Sequence, residues 1–142
     1  MKQLLKLFLK HLFLFVIGGF TYLLIEILFR GYSHISMFIV GGICFVLIGL
    51  LNEIYTWEFP LWKQVVIADT TVLIIEFISG CILNLWLNLN VWNYSHLPLN
   101  LLGQICLPFA LLWIPICVFA IILDDYVRYY FFDEEKPYYT LF

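Results

Sequence analysis

Charge is what this sequence has least of. Only 12% of its 142 residues are Asp, Glu, Lys or Arg, about half the share of an average soluble domain. A water-facing surface needs far more, so a soluble globular fold is excluded. Chemistry-bearing motifs are scarce too. No G-x-x-x-x-G-K-[ST] occurs, so the chain has no P-loop with which to hydrolyse ATP itself, and no G-x-S-x-G or H-E-x-x-H occurs either. The four cysteines (Cys44, Cys81, Cys106, Cys117) stand alone in apolar runs with no C-x-x-C pair, which reads as free buried thiols rather than a zinc site or disulfide framework. There is no fixed-period repeat and no low-complexity tract. The net charge of −3 comes mostly from the C-terminal residues and gives no footprint for nucleic acid.

What is there is apolar. Hydrophobic residues make up 64% of the chain and aromatics 20%, and the mean hydropathy is +0.99. The length accommodates about four membrane spans of ~20 residues with short connections. Spans are expected at about 12–30, 35–52, 64–87 and 99–124, with an amphipathic tail over 125–142. Residues 64–87 are rich in β-branched side chains, yet an isolated strand in lipid would leave its backbone unpaired, so a helix is expected there. The predicted fold is all-α: one transmembrane domain over 1–142, an integral membrane bundle of about four helices in contact with the lipid bilayer.

Several residues punctuate that pattern. Lys2, Lys6 and Lys10 precede the first apolar run, but no small-x-small cleavage site follows, so a retained helix is expected. Gly18 and Gly19 allow close helix approach, and of Gly41, Gly42 and Gly49 in the second span the last two, seven apart, fall on one helix face. Pro60 ends a wet connector that begins at Tyr55, and Trp57 and Trp62 mark an interface there. Pro108 and Pro115 are expected to kink or break the last span. With four spans, Lys2, Lys6, Lys10, Lys63, Arg128 and Lys136 fall on one side and only Arg30 on the other. The excess of Lys and Arg marks the cytoplasmic side, so both termini are expected there.

A charge inside a span costs on the order of 2.5–3.5 kcal/mol at mid-helix, which makes Glu26, Arg30, Asp69 and Glu76 the informative positions. Glu26 and Arg30 are i,i+4 on one helix face and able to pair. Glu76 is expected at a similar depth, so one arginine between two glutamates forms a satisfiable triad. Two readings stand side by side. In one, the charges only lock helix packing. In the other, Glu26, Arg30 and Glu76 line a polar cavity that takes a cation, a proton or a polar solute.

Residues 84–104 lie between two apolar runs and hold no charged residue. They are dense in amides and rings, which suits a membrane–water interface. Asn84, Trp92, Asn93, Asn100 and Gln104 are candidates for the mouth of the cavity, or alternatively for capping helix ends. His34 and His96 fall on the same side without metal-ligand spacing, so no metal or other cofactor is expected. Ser33-His34 and Ser95-His96 are sequence neighbours, which does not make their side chains face each other. No catalytic residue is assigned, and an enzyme is the less favoured class.

The runs I-E-I-L-F-R-G-Y-S-H-I-S-M-F (25–38), G-G-I-C-F-V-L-I-G-L-L-N-E (41–53), I-E-F-I-S-G-C-I-L-N-L-W-L-N-L-N-V-W-N-Y-S (75–95) and P-L-N-L-L-G-Q-I-C-L (98–107) resemble a bacterial family of putative ABC-transporter permeases (type IV). The resemblance extends over roughly 19–128. Where the family pattern has W-D-Y-S, this chain has Asn93, so a neutral amide replaces an acid. Membership would imply a small multispan transport component of a bacterial plasma membrane, forming a homo-oligomer or working with partner transporter subunits. The contrasting expectation is a non-transporting interaction or regulatory subunit whose buried charges set helix packing.

Overall fold

The computed structural model describes all 142 residues apart from the side chain of Asn52. The chain is all-helical, and among the described residues there is no β-strand. Helix α1 (Lys2–Arg30) ends because Gly31 turns left-handed (φ 84°) and donates its N–H to Ile27 O at 2.7 Å. Glycine takes that conformation without a Cβ penalty and ends the helix cleanly. A short turn leads into α2 (Ser36–Gly49). The first helical residue is Ser36, whose N–H donates to His34 Nδ1 at 3.2 Å; neither Ser33 nor Ser36 caps α2 through its own side chain.

Leu50 keeps right-handed helical dihedrals between α2 and α3 (Leu51–Ile54). Leu50 N–H bonds Val46 O, and Ile54 N–H bonds Leu50 O, both at 3.1 Å. The two helices therefore form one nearly unbroken path, which at 1.5 Å per residue is about 28 Å long. Helix α4 (Leu61–Gly80) starts directly after Pro60 and passes into a π-helical turn, Cys81–Trp86. Helix α5 (Leu107–Phe132) closes the bundle and ends at Asp133, which is left-handed (φ 53°).

Three helical stretches, Lys2–Arg30, Leu61–Trp86 and Leu107–Phe132, are long and apolar enough to cross a membrane. The shorter α2 packs against all three of the others. The core follows from this. Ile48 and Leu51 of α2–α3, Val65, Ala68 and Val72 of α4, and Cys117 and Ile121 of α5 form one buried cluster. Leu14, Phe45 and Val127 form a second. Many large apolar side chains, including Leu24, Leu28, Ile74 and Phe119, remain exposed, as expected where the solvent is hydrocarbon. All four cysteines are free.

Two boundaries differ from the sequence reading. The last helix begins at Leu107 rather than near 99, because Leu99, Leu102 and Gly103 all have positive φ and a bridge joins Leu101 to Ile105. Pro108 accordingly sits in the first helical turn, where its missing N–H costs nothing, instead of breaking a span. The same helix runs on past 124 to Phe132. Its continuation is not an interfacial tail: Asp125 and Arg128 are each only 2% exposed.

The pairing of α1 with α2 depends on two glycine pairs. A Cβ added at Gly19 would lie 2.7 Å from the backbone O of Phe38, and one at Gly42 would lie 2.8 Å from that of Phe15. At Gly18 and Gly41 the obstacles are the Phe45 and Tyr22 side chains. Each helix thus offers a glycine pair to aromatic residues of the other. Lipid tails are as apolar as the helices, so close approach of this kind, not apolar burial, supplies much of the association.

Candidate functional site

Where α1, α4 and α5 meet, at the end of the bundle away from both termini, a cavity of about 100 Å³ opens beneath the 87–106 loop. A cavity needs only about 15 Å³ to hold one water, so this space is large enough for several or for a small solute. Its walls include Tyr22, Glu26 and Arg30 of α1, Glu76 of α4, Trp92 and Tyr94 of the loop, and Phe109 and Trp113 of α5. A second cavity of about 50 Å³ shares Tyr22, Glu76 and Trp113 and extends toward the middle of the bundle.

Helical spacing places the first polar pair. Glu26 and Arg30 lie one turn apart and form an ion pair, and Arg30 Nη1 also donates to Val91 O at 3.3 Å. Only one Glu26 oxygen is used. Its Oε2 is buried with no hydrogen-bond partner. Glu76, 4% exposed, is held from elsewhere in the chain: Tyr94 OH donates to its Oε1 at 3.3 Å and Trp113 Nε1 to its Oε2 at 3.1 Å. The expected Glu–Arg–Glu triad is therefore one ion pair beside a separately held carboxylate. Asp69, seven residues deeper on α4, lines neither cavity.

The aromatic walls are fixed by one another. Tyr22 stacks on Trp113 at 5.7 Å between centroids, and Tyr94 stacks on Phe109 at 4.6 Å. Trp92 is pinned by its Nε1, which donates to Gln104 O at 2.9 Å. The cavity is thus walled in large part by mutually stacked or pinned aromatic side chains.

Four residues expected at the mouth serve the loop itself. Asn84 donates to Gln104 Oε1 at 2.8 Å and accepts from the Val91 N–H at 2.7 Å. The Gln104 amide donates to Leu102 O at 2.9 Å. Asn93 accepts from the Ser95 N–H at 2.9 Å, as in an Asx-turn. Asn100 donates to Leu97 O and accepts from the Gly103 N–H. Asn88 and Asn90 take left-handed backbone conformations (φ 54° and 50°), which asparagine tolerates better than most residues. The amide-rich stretch thus builds a folded lid, and of the predicted mouth residues only Trp92 lines the cavity. Tyr22, Tyr94, Phe109 and Trp113 were not singled out from sequence; only the interfacial aromatic enrichment pointed toward them.

A second polar cluster occupies the opposite end. Arg128 Nε meets Asp124 at 2.9 Å and its Nη1 meets Glu53 at 2.6 Å. Lys10 joins Glu53 at 2.9 Å and Glu134 at 2.5 Å. Burial pushes the Glu53 carboxyl up, but the hydrogen bonds and charges of Lys10 and Arg128 outweigh it and hold it below the ordinary range. The terminal residues fold back over this end: Tyr139 OH donates to Asp125 at 2.6 Å, and Leu61 N–H bonds Thr140 O at 2.7 Å. Sequence spacing offered one signal, since Asp124 and Arg128 are i,i+4 like Glu26 and Arg30. Among the described residues, no group of three His, Cys, Asp or Glu is placed to hold a metal ion.

The sequence pattern of a family described as putative ABC-transporter type IV matches residues 8–138. No curated protein and no solved structure matches the chain.

Proposed function

We propose, from the premise that this chain belongs to the putative ABC-transporter type IV family, that it is a transport or solute-binding membrane component whose site is the cavity beneath the 87–106 loop. The observation that carries this reading is the meeting of Glu26, Arg30 and Glu76, from two different helices, on one cavity, beside which a Glu26 oxygen is buried without a hydrogen-bond partner. Charges in a span that served packing alone would gain nothing from an adjacent void. The excess of Lys and Arg at the opposite end supports a cytoplasmic position for that end, and with it an outward-facing cavity in a bacterial plasma membrane. Transport would be completed by further copies or by partner subunits, since the chain carries no P-loop of its own.

A packing role is the second reading, favoured by the two hydrogen bonds that already hold Glu76. In that reading the chain is an interaction or regulatory subunit. Glu76→Gln separates the two. A ligand at 100 times its Kd stabilises by about 2.7 kcal/mol. We expect one class in a panel of small amines, carboxylates, sugars and amino acids to raise the melting temperature of the purified wild-type chain, and Glu76→Gln to lose that rise while still folding. A rise that survives Glu76→Gln, or no rise with any class, would leave packing as the better account.

A further inference from the structure

Resting on the reading of the outer cavity as a ligand site, the geometry points to its ligand class: a small organic ammonium ion carrying N–H donors. Charge decides the sign. Two carboxylates line the cavity against one guanidinium, and that guanidinium is already occupied by Glu26 and by Val91 O. An anion would meet the uncompensated Glu76 carboxylate, and a neutral solute would leave that carboxylate buried without a counter-charge, which is costly.

Hydrogen bonding decides the kind of cation. Glu26 is 9% exposed and its Oε2 accepts from nothing, while each Glu76 oxygen accepts one bond and keeps a free lone pair. A primary ammonium brings three donors, enough to meet the free lone pairs of the Glu76 carboxylate. Hard metal cations want about six or more oxygen ligands, and the remaining walls here are mostly aromatic and aliphatic side chains. Those walls suit an organic cation, because ammonium groups are attracted to the faces of Trp and Tyr within about 6 Å of the centroid. Size limits the body. An apolar cavity of about 150 Å³ takes benzene, so about 100 Å³ suits a body of methylammonium to propylammonium size.

The test uses the full chain in lipid nanodiscs, read by intrinsic tryptophan fluorescence, since Trp92 and Trp113 both line the cavity. Propylammonium chloride is titrated against 1-propanol, sodium propionate and tetramethylammonium chloride at constant ionic strength. Propylammonium should give a saturable change that NaCl does not reproduce, with tetramethylammonium weaker because it has no N–H. Glu26→Gln should weaken propylammonium binding at least tenfold. Arg30→Gln, which removes the competing cation, should tighten it about threefold or more. Simple loss of structure would weaken both variants, so the opposite signs protect the test from misfolding. Propanol or propionate binding as well as propylammonium would overturn the ammonium class while leaving the cavity as a ligand site. No saturable change with any probe would overturn both.

Discussion

Replacing Arg128 by methionine is expected to destabilise the chain by about 3–5 kcal/mol, the range seen when one partner of a buried ion pair is removed. Methionine keeps much of the side-chain length and all of its helix propensity, so the loss isolates the guanidinium. Arg128 is 2% exposed, and its partner Asp124 is 0% exposed. Glu53 also depends on it at 2.6 Å. Without the guanidinium, Asp124 must remain charged and unpaired or take up a proton, and either course costs folding free energy. The loss should appear as a lower melting temperature in detergent by circular dichroism. Adding Asp124→Asn should restore part of it, since an amide carries no charge to strand. A variant melting with the wild type would show that this cluster does not hold the inner end together.

Gly42→Leu should be as damaging, for a steric reason. The added Cβ would begin 2.8 Å from Phe15 O and 2.7 Å from ring atoms of Phe15. The first obstacle is backbone and cannot rotate away. Overpacking of a well-packed core costs about 1–3 kcal/mol, and a clash with backbone at the main α1–α2 contact is expected to reach the top of that range or exceed it. Because Tyr22, Glu26 and Arg30 sit on α1, separating α1 from α2 also displaces one wall of the outer cavity. The variant should therefore lose both thermal stability and any ligand-induced stabilisation. Gly31→Ala is the control: no atom lies within 4 Å of a Cβ there, so only the strain of its positive φ is felt and the loss should be far smaller.

The parts of this structure that the sequence made legible are those governed by local periodicity and by lipid. Apolar runs of this length in a bilayer have to be helices, and Glu26 with Arg30 is readable because i,i+4 spacing makes neighbours. Gly18 and Gly19 are readable as points of close approach, though not which aromatics meet them, nor that Gly41 and Gly42 answer them from α2. The environment of Glu76 was not legible. Its donors, Tyr94 and Trp113, lie 18 and 37 residues away, and no spacing rule connects a loop tyrosine and a distant tryptophan to a helix carboxylate. The asparagines misled for a related reason. Amides suited to lining a cavity mouth are equally suited to left-handed turns and Asx-turns, and only the path of the chain shows which use each has. Arg128 falls in the expected amphipathic tail, since charge after an apolar run normally marks the membrane surface. The buried partners Asp124 and Glu53 overrode that expectation.

The central claim is that the cavity beneath the 87–106 loop is an outward-facing ligand site. The most direct measurement places one cysteine at Phe109, which lines that cavity, in a chain whose four native cysteines are replaced by alanine. Intact cells are then treated with a membrane-impermeant thiol reagent. The account predicts that Phe109→Cys is labelled from outside and that propylammonium slows the labelling. Labelling only after the cells are opened, or a rate indifferent to every solute that stabilises the protein, would contradict it.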